Sequence, residues 1–302
     1  MSVGPATVAT PRPTGLTAVR QVVSDYVSLT KPKVQSLLLL TTVTTMYVAG
    51  DPSLGLVLLT CLGGALSAGG AGAINHAIDR DIDRTMARTA SRPVASGRIS
   101  ARTAIGFGAL LELCSFTLLA LAVNPLAAAL AAAGLLGYVF VYTLWLKPRT
   151  PQNIVLGGAA GAMPPLVGWA AATGALSAQA LWPFAIVFFW TPPHFWALSL
   201  LISDDYARTG VPMLPVVRGE TTTRHQIVAY AVLLVAVTVG PVVTGLFGAT
   251  YLIAALALGA AFIGLALVLL AHPTRQAARR LYLSSLAYLA LLFVAMALDL
   301  AL

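Results

Sequence analysis

The chain has 302 residues, 58% of them hydrophobic and only 9% charged, with eighteen Lys and Arg against ten Asp and Glu. That composition excludes a soluble globular domain and defines a polytopic α-helical membrane protein. The net charge of +8 then reads as a topology signal and an attraction to anionic membrane lipid, with no nucleic-acid partner implied.

Residues 1–24 are polar, contain proline and lack an apolar core, so they read as a disordered tail ahead of one transmembrane domain over 25–302. Residues 34–50 carry no charge and suffice for a first span, and residues 52–78 for a second. The stretch 103–146 holds only Glu112, while 150–203 and 225–274 hold no fixed charge. At about 20 residues per span each of these is a helix pair. The breaks fall at Asn124-Pro125, Thr173 to Ser177 and Gly248-Ala249-Thr250, all of turn type. A last span covers Leu281 to Leu298. The expected fold is therefore all-α, nine transmembrane helices around a central cavity. Every Lys and Arg, from Arg12 to Arg280, falls at one end of these spans. The positive-inside rule makes that end cytoplasmic, with the N-terminus inside and the C-terminus outside. Cys61 and Cys114 lie within spans and read as small apolar fillers.

The second span meets water at Asn75–Arg92, where three Asp and four Arg follow one another within fourteen residues. Asn75, Asp79 and Asp83 are spaced i, i+4, i+8. Each step of four drifts about 40° around a helix, so the three share one face and Asp81 points away. Carboxylates at a membrane boundary are costly to desolvate and need a partner. A Mg²⁺ held by Asp79 and Asp83 is one, since Mg²⁺ takes one or two carboxylates and completes its shell with water and substrate phosphates. Reciprocal ion pairs with Arg80, Arg84 and Arg88 are the plainer alternative. A second acidic group, Asp204-Asp205, follows the sixth span. Two parallel halves facing one another would bring the clusters together. His194 lies ten residues before Asp204, or roughly 15 Å along one helix. Pro192-Pro193 is expected to open that helix locally. His76 and His225 read as interfacial.

Asn75-x-x-x-Asp79-x-x-x-Asp83 resembles the first aspartate motif of the intramembrane aromatic prenyltransferase superfamily, whose members bind an isoprenyl diphosphate through Mg²⁺. Asp79-x-Asp81-x-Asp83 with Met86-x-Arg88-Thr89-x-x-Arg92-Pro93 is similar, more narrowly, to the branch that farnesylates haem. Leu29-Thr30-Lys31-Pro32, Tyr142-Thr143 with Lys147, Thr150-Pro151-Gln152-Asn153-Ile154, Pro193-His194-Phe195-Trp196 and Asp205-Tyr206 with Gly210-Val211-Pro212-Met213-Leu214-Pro215 agree with it. The superfamily's second motif is commonly Asp-x-x-x-Asp, whereas here Arg208 and Thr209 follow Asp204-Asp205, which puts a second metal in doubt. The resemblance implies a membrane enzyme of a bacterial cell that transfers farnesyl from farnesyl diphosphate to a vinyl group of haem b. Asn75, Asp79, Asp83 and Asp205 would carry the chemistry. Lys33, Arg84, Arg88, Arg92, Lys147, Arg149, Asn153, His194 and Tyr206 would bind the substrates, with His194 as a candidate iron ligand. The product would pass to a terminal oxidase or to an enzyme that makes haem A. Prenylation of a quinone or chlorophyll precursor, and transport of a phosphorylated lipid, are the alternatives.

Overall fold

Residues 15–301 are described in a computed structural model. The apolar runs form helices wherever they were expected to, because a backbone inside a bilayer has no water to satisfy its N–H and C=O groups. Helix α1 (Leu16–Leu29) precedes α2 (Pro32–Ala49) and α3 (Leu54–Ile78), and the short α4 (Arg80–Thr85) follows at once. Then come α5 (Ala101–Ala122) and α6 (Pro125–Leu136), which continues as a π-helix over Gly137–Leu146. Helices α7 (Asn153–Gly161) and α8 (Met163–Thr173) are together long and apolar enough to cross once. After them come α9 (Leu181–Leu201), the short α10 (Ser203–Thr209), α11 (Leu214–Val243), α12 (Ala249–Ala271) and α13 (Arg275–Ala301).

The expected breaks are present, each with a physical cause. Asn124 caps α6 by accepting from the Ala127 N–H at 2.9 Å and ties the turn to α8 by donating to the Ala170 carbonyl at 2.8 Å. Beyond α11, Asp299 accepts from the Gly248 and Tyr251 N–H groups at 2.6 and 2.9 Å, so the last helix caps the start of α12. Where α3 crosses α5, a Cβ on Gly70 would come within 2.6 Å of the Gly108 carbonyl. Only paired glycines allow that approach, which is the means by which membrane helices pack without a hydrophobic drive between them.

Eight helices among the described residues are long and apolar enough to cross a membrane. The predicted first span, α2, is not among them. Its first turn, with Pro32, Lys33 and Gln35, lowers its hydropathy most; Thr41, Thr42, Thr44 and Thr45 add to this, and all four are buried. Thr41, Thr42 and Thr45 return their hydroxyl protons to carbonyls of their own helix, at 2.8, 3.0 and 2.7 Å. Two other expectations change. Residues 16–24 are helical rather than disordered, while residues 1–14, Arg12 included, lie outside the described residues. Helix α9 runs unbroken through Pro192 and Pro193, both buried among its neighbours. The turn comes later, at Ile202, where φ −130°, ψ 28° separates α9 from α10. The two acidic segments repeat one plan, a long helix followed by a short one, and α4 and α10 pack against each other.

Candidate active site

Asn75 and Asp79 end α3, and Asp83 sits one turn on in α4; the shared face is real, and all three are buried. Asp81 points out, 71% exposed, and takes the ion pairs with Arg80 and Arg84 at 2.9 and 3.5 Å. The reciprocal pairing considered for the whole acidic group is thus confined to its outer side.

The inner side is cross-linked to distant parts of the chain. Lys147 Nζ donates to Asp79 Oδ2 at 2.6 Å, and Asn75 Nδ2 donates to the same oxygen at 2.9 Å. Asn75 Nδ2 also reaches Thr143 Oγ1, at 3.2 Å, and its Oδ1 accepts from Lys31 Nζ at 2.7 Å. Arg92 Nη1 donates to both oxygens of Asp83, at 2.9 and 2.8 Å. The π-helix makes part of this possible. Its wider ladder, with the Lys147 N–H on the Tyr142 carbonyl at 2.8 Å, sets Tyr138, Thr143 and Lys147 toward α3 together.

Lys31 is the residue that sequence reasoning misplaced, since Lys33 was the one assigned to the substrate. Lys33 is exposed, and its side chain enters none of the hydrogen bonds or ion pairs found among the described residues. Lys31 holds φ 53°, ψ 55°, a left-handed backbone that costs an L-residue roughly 1–2 kcal/mol. That turn aims its ammonium at Asn75 and, at 3.4 Å, at the Tyr138 hydroxyl. Burial first, and then the nearby Arg92 charge, push the Lys31 ammonium down to about 8. The one hint in the sequence was its place in Leu29-Thr30-Lys31-Pro32.

The remaining predicted residues divide. Arg88 is exposed and makes no hydrogen bond among those found, but its charge acts on Lys31 and Tyr206. Tyr206 is buried in α10, and desolvation pushes its phenol up to about 12. Asp205, also buried, pairs with Arg208 one turn along, while Asp204 faces out. Arg84 is turned away, its Nε donating to the Ala95 carbonyl at 2.8 Å. Arg149 is spent on the end of the π-helix, donating to the Leu144 and Trp145 carbonyls at 3.2 Å. Asn153 is buried at the start of α7, donating to the Thr150 carbonyl at 2.7 Å with its Oδ1 unpartnered. His76 is buried with both ring nitrogens unpartnered, not interfacial.

His194 stands apart from the cluster, stacked between Trp190 and Tyr282 at centroid distances of 4.2 and 5.0 Å. Its Nδ1 lies 2.6 Å from Ser285 Oγ, and that hydroxyl gives its proton to the Tyr282 carbonyl, also at 2.6 Å. Ser285 can then only accept, so Nδ1 carries the ring proton and Nε2 keeps its lone pair.

From Lys31 an apolar cavity of about 220 Å³ runs between α2, α3, α6 and α8. Its wall follows α2 from Lys31 to Thr42 and includes Gly64, Leu135, Met163 and Val167. Eleven residues of helix are roughly 16 Å long. A cationic and carboxylate head opening on an apolar tunnel suits a diphosphate with a hydrocarbon tail.

The fit to Mg²⁺ rests on the donor set. Asp79 Oδ2 is taken by Lys147 and Asn75, while Oδ1 accepts no hydrogen bond among those found. No three acidic, His or Cys side chains gather among the described residues. One or two carboxylate oxygens without a complete protein cage is the pattern of a Mg²⁺ shared with substrate phosphate.

Paired aspartate helix ends, a basic head and an apolar cavity form a site of the kind the aspartate motif led the sequence to suggest, one able to hold an isoprenyl diphosphate. The signature of the UbiA prenyltransferase family covers residues 38–296, and the chain belongs to that family. It is 54% identical, over 98% of its length, to a protein from Roseiflexus sp. (strain RS-1) called protoheme IX farnesyltransferase. The chain spans 56% of that relative's length. A protein of the same name from Symbiobacterium thermophilum is 52% identical over 92% of this chain and 95% of its own. Among solved structures, a UbiA homologue from Aeropyrum pernix K1 aligns with TM-score 0.71 and 19% identity over 89% of this chain and 98% of its own. Another from Archaeoglobus fulgidus, solved with GPP and Mg²⁺, gives 0.65 and 16% over 90% and 99%. At those identities the likeness is one of fold.

Proposed function

We propose that this chain transfers the farnesyl group of farnesyl diphosphate to a vinyl group of haem b, giving haem O in a bacterial plasma membrane. The observation that carries the prenyl half is the junction at Lys31, which belongs both to the polar cluster and to the apolar tunnel. The haem half rests on the name shared by relatives that are half identical to this chain. His194 supports it, because an unprotonated Nε2 with Nδ1–H held by a partner is what an iron ligand requires.

Asp79 and Asp83 would hold Mg²⁺, which when bound supplies positive charge against the departing diphosphate. Lys31, Lys147 and Arg92 stand where negative charge grows as the allylic C–O bond breaks, its electron pair leaving with the diphosphate. Being fixed beforehand, they stabilise that transition state without reorganisation. The vinyl π electrons then bond to C1 of the farnesyl cation. Water adds to the cation left beside the macrocycle and loses a proton, giving the hydroxyethylfarnesyl group. The apolar tunnel keeps other water from the allylic cation. Asp205 and Tyr206 would close the site from the α10 side.

For topology, we propose that α2 completes nine spans with the basic end cytoplasmic. Single Cys probes near Thr173 and Thr250 then label from outside, and probes near Ser96 and Gly219 only after the membrane is breached; the opposite pattern refutes it. For activity, purified protein with Mg²⁺, farnesyl diphosphate and haem b should yield a haem heavier by one farnesyl group and one hydroxyl in mass spectrometry. Haem returned unmodified, with 4-hydroxybenzoate or another aromatic ring prenylated in its place, would leave the family and remove the haem assignment.

A further inference from the structure

Three stretches that the diphosphate cluster does not use converge at the basic end of the bundle: Gln152 before α7, Trp196 in α9, and the first turns of α11. With Leu214, Arg218, Thr222 and Gln226 they line a second cavity of about 240 Å³. Trp196 is 1% exposed, and its indole N–H meets no acceptor. An indole nitrogen can only donate, as can a guanidinium. Arg218 enters none of the ion pairs found among the described residues, and the nearby carboxylate, Glu220, is held by Arg224 at 3.3 Å.

The backbone adds to this. Gly219 takes φ 79°, ψ 161°, a conformation that is essentially glycine's alone, and it interrupts α11. The helix restarts after it, so the partial positive charge of a helix start lies beside Arg218 and Thr222. The indole and the guanidinium can only donate; Thr222 and the two glutamines adapt to either role. The complement of such a set is an oxyanion.

We propose that this cavity is an oxyanion site, separate from the diphosphate cradle, that holds a propionate carboxylate of the porphyrin acceptor. The identity of that carboxylate's carrier rests on the haem reading above. In haem b the two propionates lie on the edge of the macrocycle opposite the vinyl groups. A vinyl presented to the Asp79 cluster therefore leaves two carboxylates across the ring, where burial demands partners of their own. Lys31, Lys147 and Arg92 are engaged at the cluster, whereas Trp196 and Arg218 are not. The phosphate of a lipid headgroup shares the oxyanion chemistry and is the competing source.

The test reads the indole directly. Protein labelled with ¹⁵N-tryptophan is placed in phosphatidylcholine nanodiscs, and the Trp196 signal is assigned through Trp196→Phe. Zinc protoporphyrin IX, its dimethyl ester and inorganic phosphate are added in turn, and a parallel series uses phosphatidylglycerol discs. The Trp196 signal should move with the free acid and not with the ester, and Arg218→Gln should weaken that response by roughly tenfold, the share of one charge-assisted bond. In turnover both variants should raise KM for haem b, with farnesyl diphosphate binding as the control for folding. An equal response to the ester overturns the proposal, as does no response to any oxyanion. A response to phosphate or phosphatidylglycerol alone also overturns it and gives the cavity to lipid. If the Trp196 signal follows the free acid while no haem is farnesylated, the carboxylate site stands and the proposed reaction falls.

Discussion

Asp83 and Asp205 occupy equivalent places, each buried in a short helix that follows a long apolar one, yet their counter-ions come from different distances. Asp83 is held by Arg92, nine residues on, and its neighbour Asp79 by Lys147, sixty-eight residues on. Asp205 is held by Arg208 on its own helix, one turn away. Arg92 is 25% exposed and Arg208 58%. The α3–α4 end is therefore fixed by tertiary structure, with cations from α6's extension and two loops locked onto it. The α9–α10 end carries only a local, solvent-screened pair. Charge type and place in the chain made the two ends look alike although their acidic spacing differs; what also separates them is whether the partner is local or remote.

The largest effect should come from neutralising the fixed end. Asp79→Asn or Asp83→Asn is expected to cut turnover by about a thousandfold, since a metal-stabilised leaving group is worth several kcal/mol. Asp205→Asn should cost much less, on the order of tenfold, and Asp81→Asn should stay near the parent rate. Steady-state rates for the four variants decide it; comparable losses at Asp81 and Asp79 would undo the inside-outside division.

Stability should separate the two ends next. Breaking a buried pair leaves an uncompensated charge and costs about 3–5 kcal/mol, whereas a pair whose cation is largely in water, as Arg208 is, is screened and worth less. Lys147→Met should thus lower the thermal transition in detergent markedly, while Arg208→Gln should leave it nearly unchanged. Equal shifts would mean that the local pair is as structural as the remote one.

Lys31 gives a finer probe. Lys31→Met should weaken farnesyl diphosphate binding by roughly ten- to a hundredfold, the worth of one charge-assisted contact, and Lys33→Met should do nothing. A pH series sharpens the point. The ammonium binds a diphosphate only when protonated, and its folded value sits near 8, below the ordinary lysine value of 10.5. Calorimetric affinity should therefore be constant below that value and fall as pH rises through it, until the higher pKa of the complex is reached. Lys31→Arg should flatten the profile, because guanidinium stays charged. A flat profile in the parent protein would show that Lys31 does not meet the diphosphate.

Much of this was readable from the residues. Uncharged runs located the spans because desolvation of charge is the dominant penalty in lipid, and the spacing of Asn75, Asp79 and Asp83 placed them on one face. Choosing between Lys31 and Lys33 was beyond the sequence, since the choice depends on a left-handed backbone at Lys31 that residue type does not announce. Arg84 and Arg149 were lost for a related reason. Both found carbonyl oxygens nearby, at Ala95 and at Leu144, and local capping of this kind competes with any binding role. The uncharged run 34–50 pointed to α2 from the sequence, and the hydroxyls of Thr41, Thr42 and Thr45 are folded back on that helix.

The π-helix at Gly137–Leu146 bears on how the chain can tolerate insertions and deletions. An i→i+5 ladder holds more residues per turn than an α-helix, as if one had been added to the span. Deleting one residue between Tyr138 and Tyr142 would let the ladder tighten and still leave a helix long enough to cross the bilayer. Everything on the Lys147 side would then change its angle and height relative to what precedes it, because a tightened ladder turns and rises differently from a π-helix. Lys147 would swing off Asp79 and Thr143 off Asn75. The length of this helix is thus set by the contact it must make at its end, and an alignment gap placed there would signal a change of chemistry in a protein that still folds.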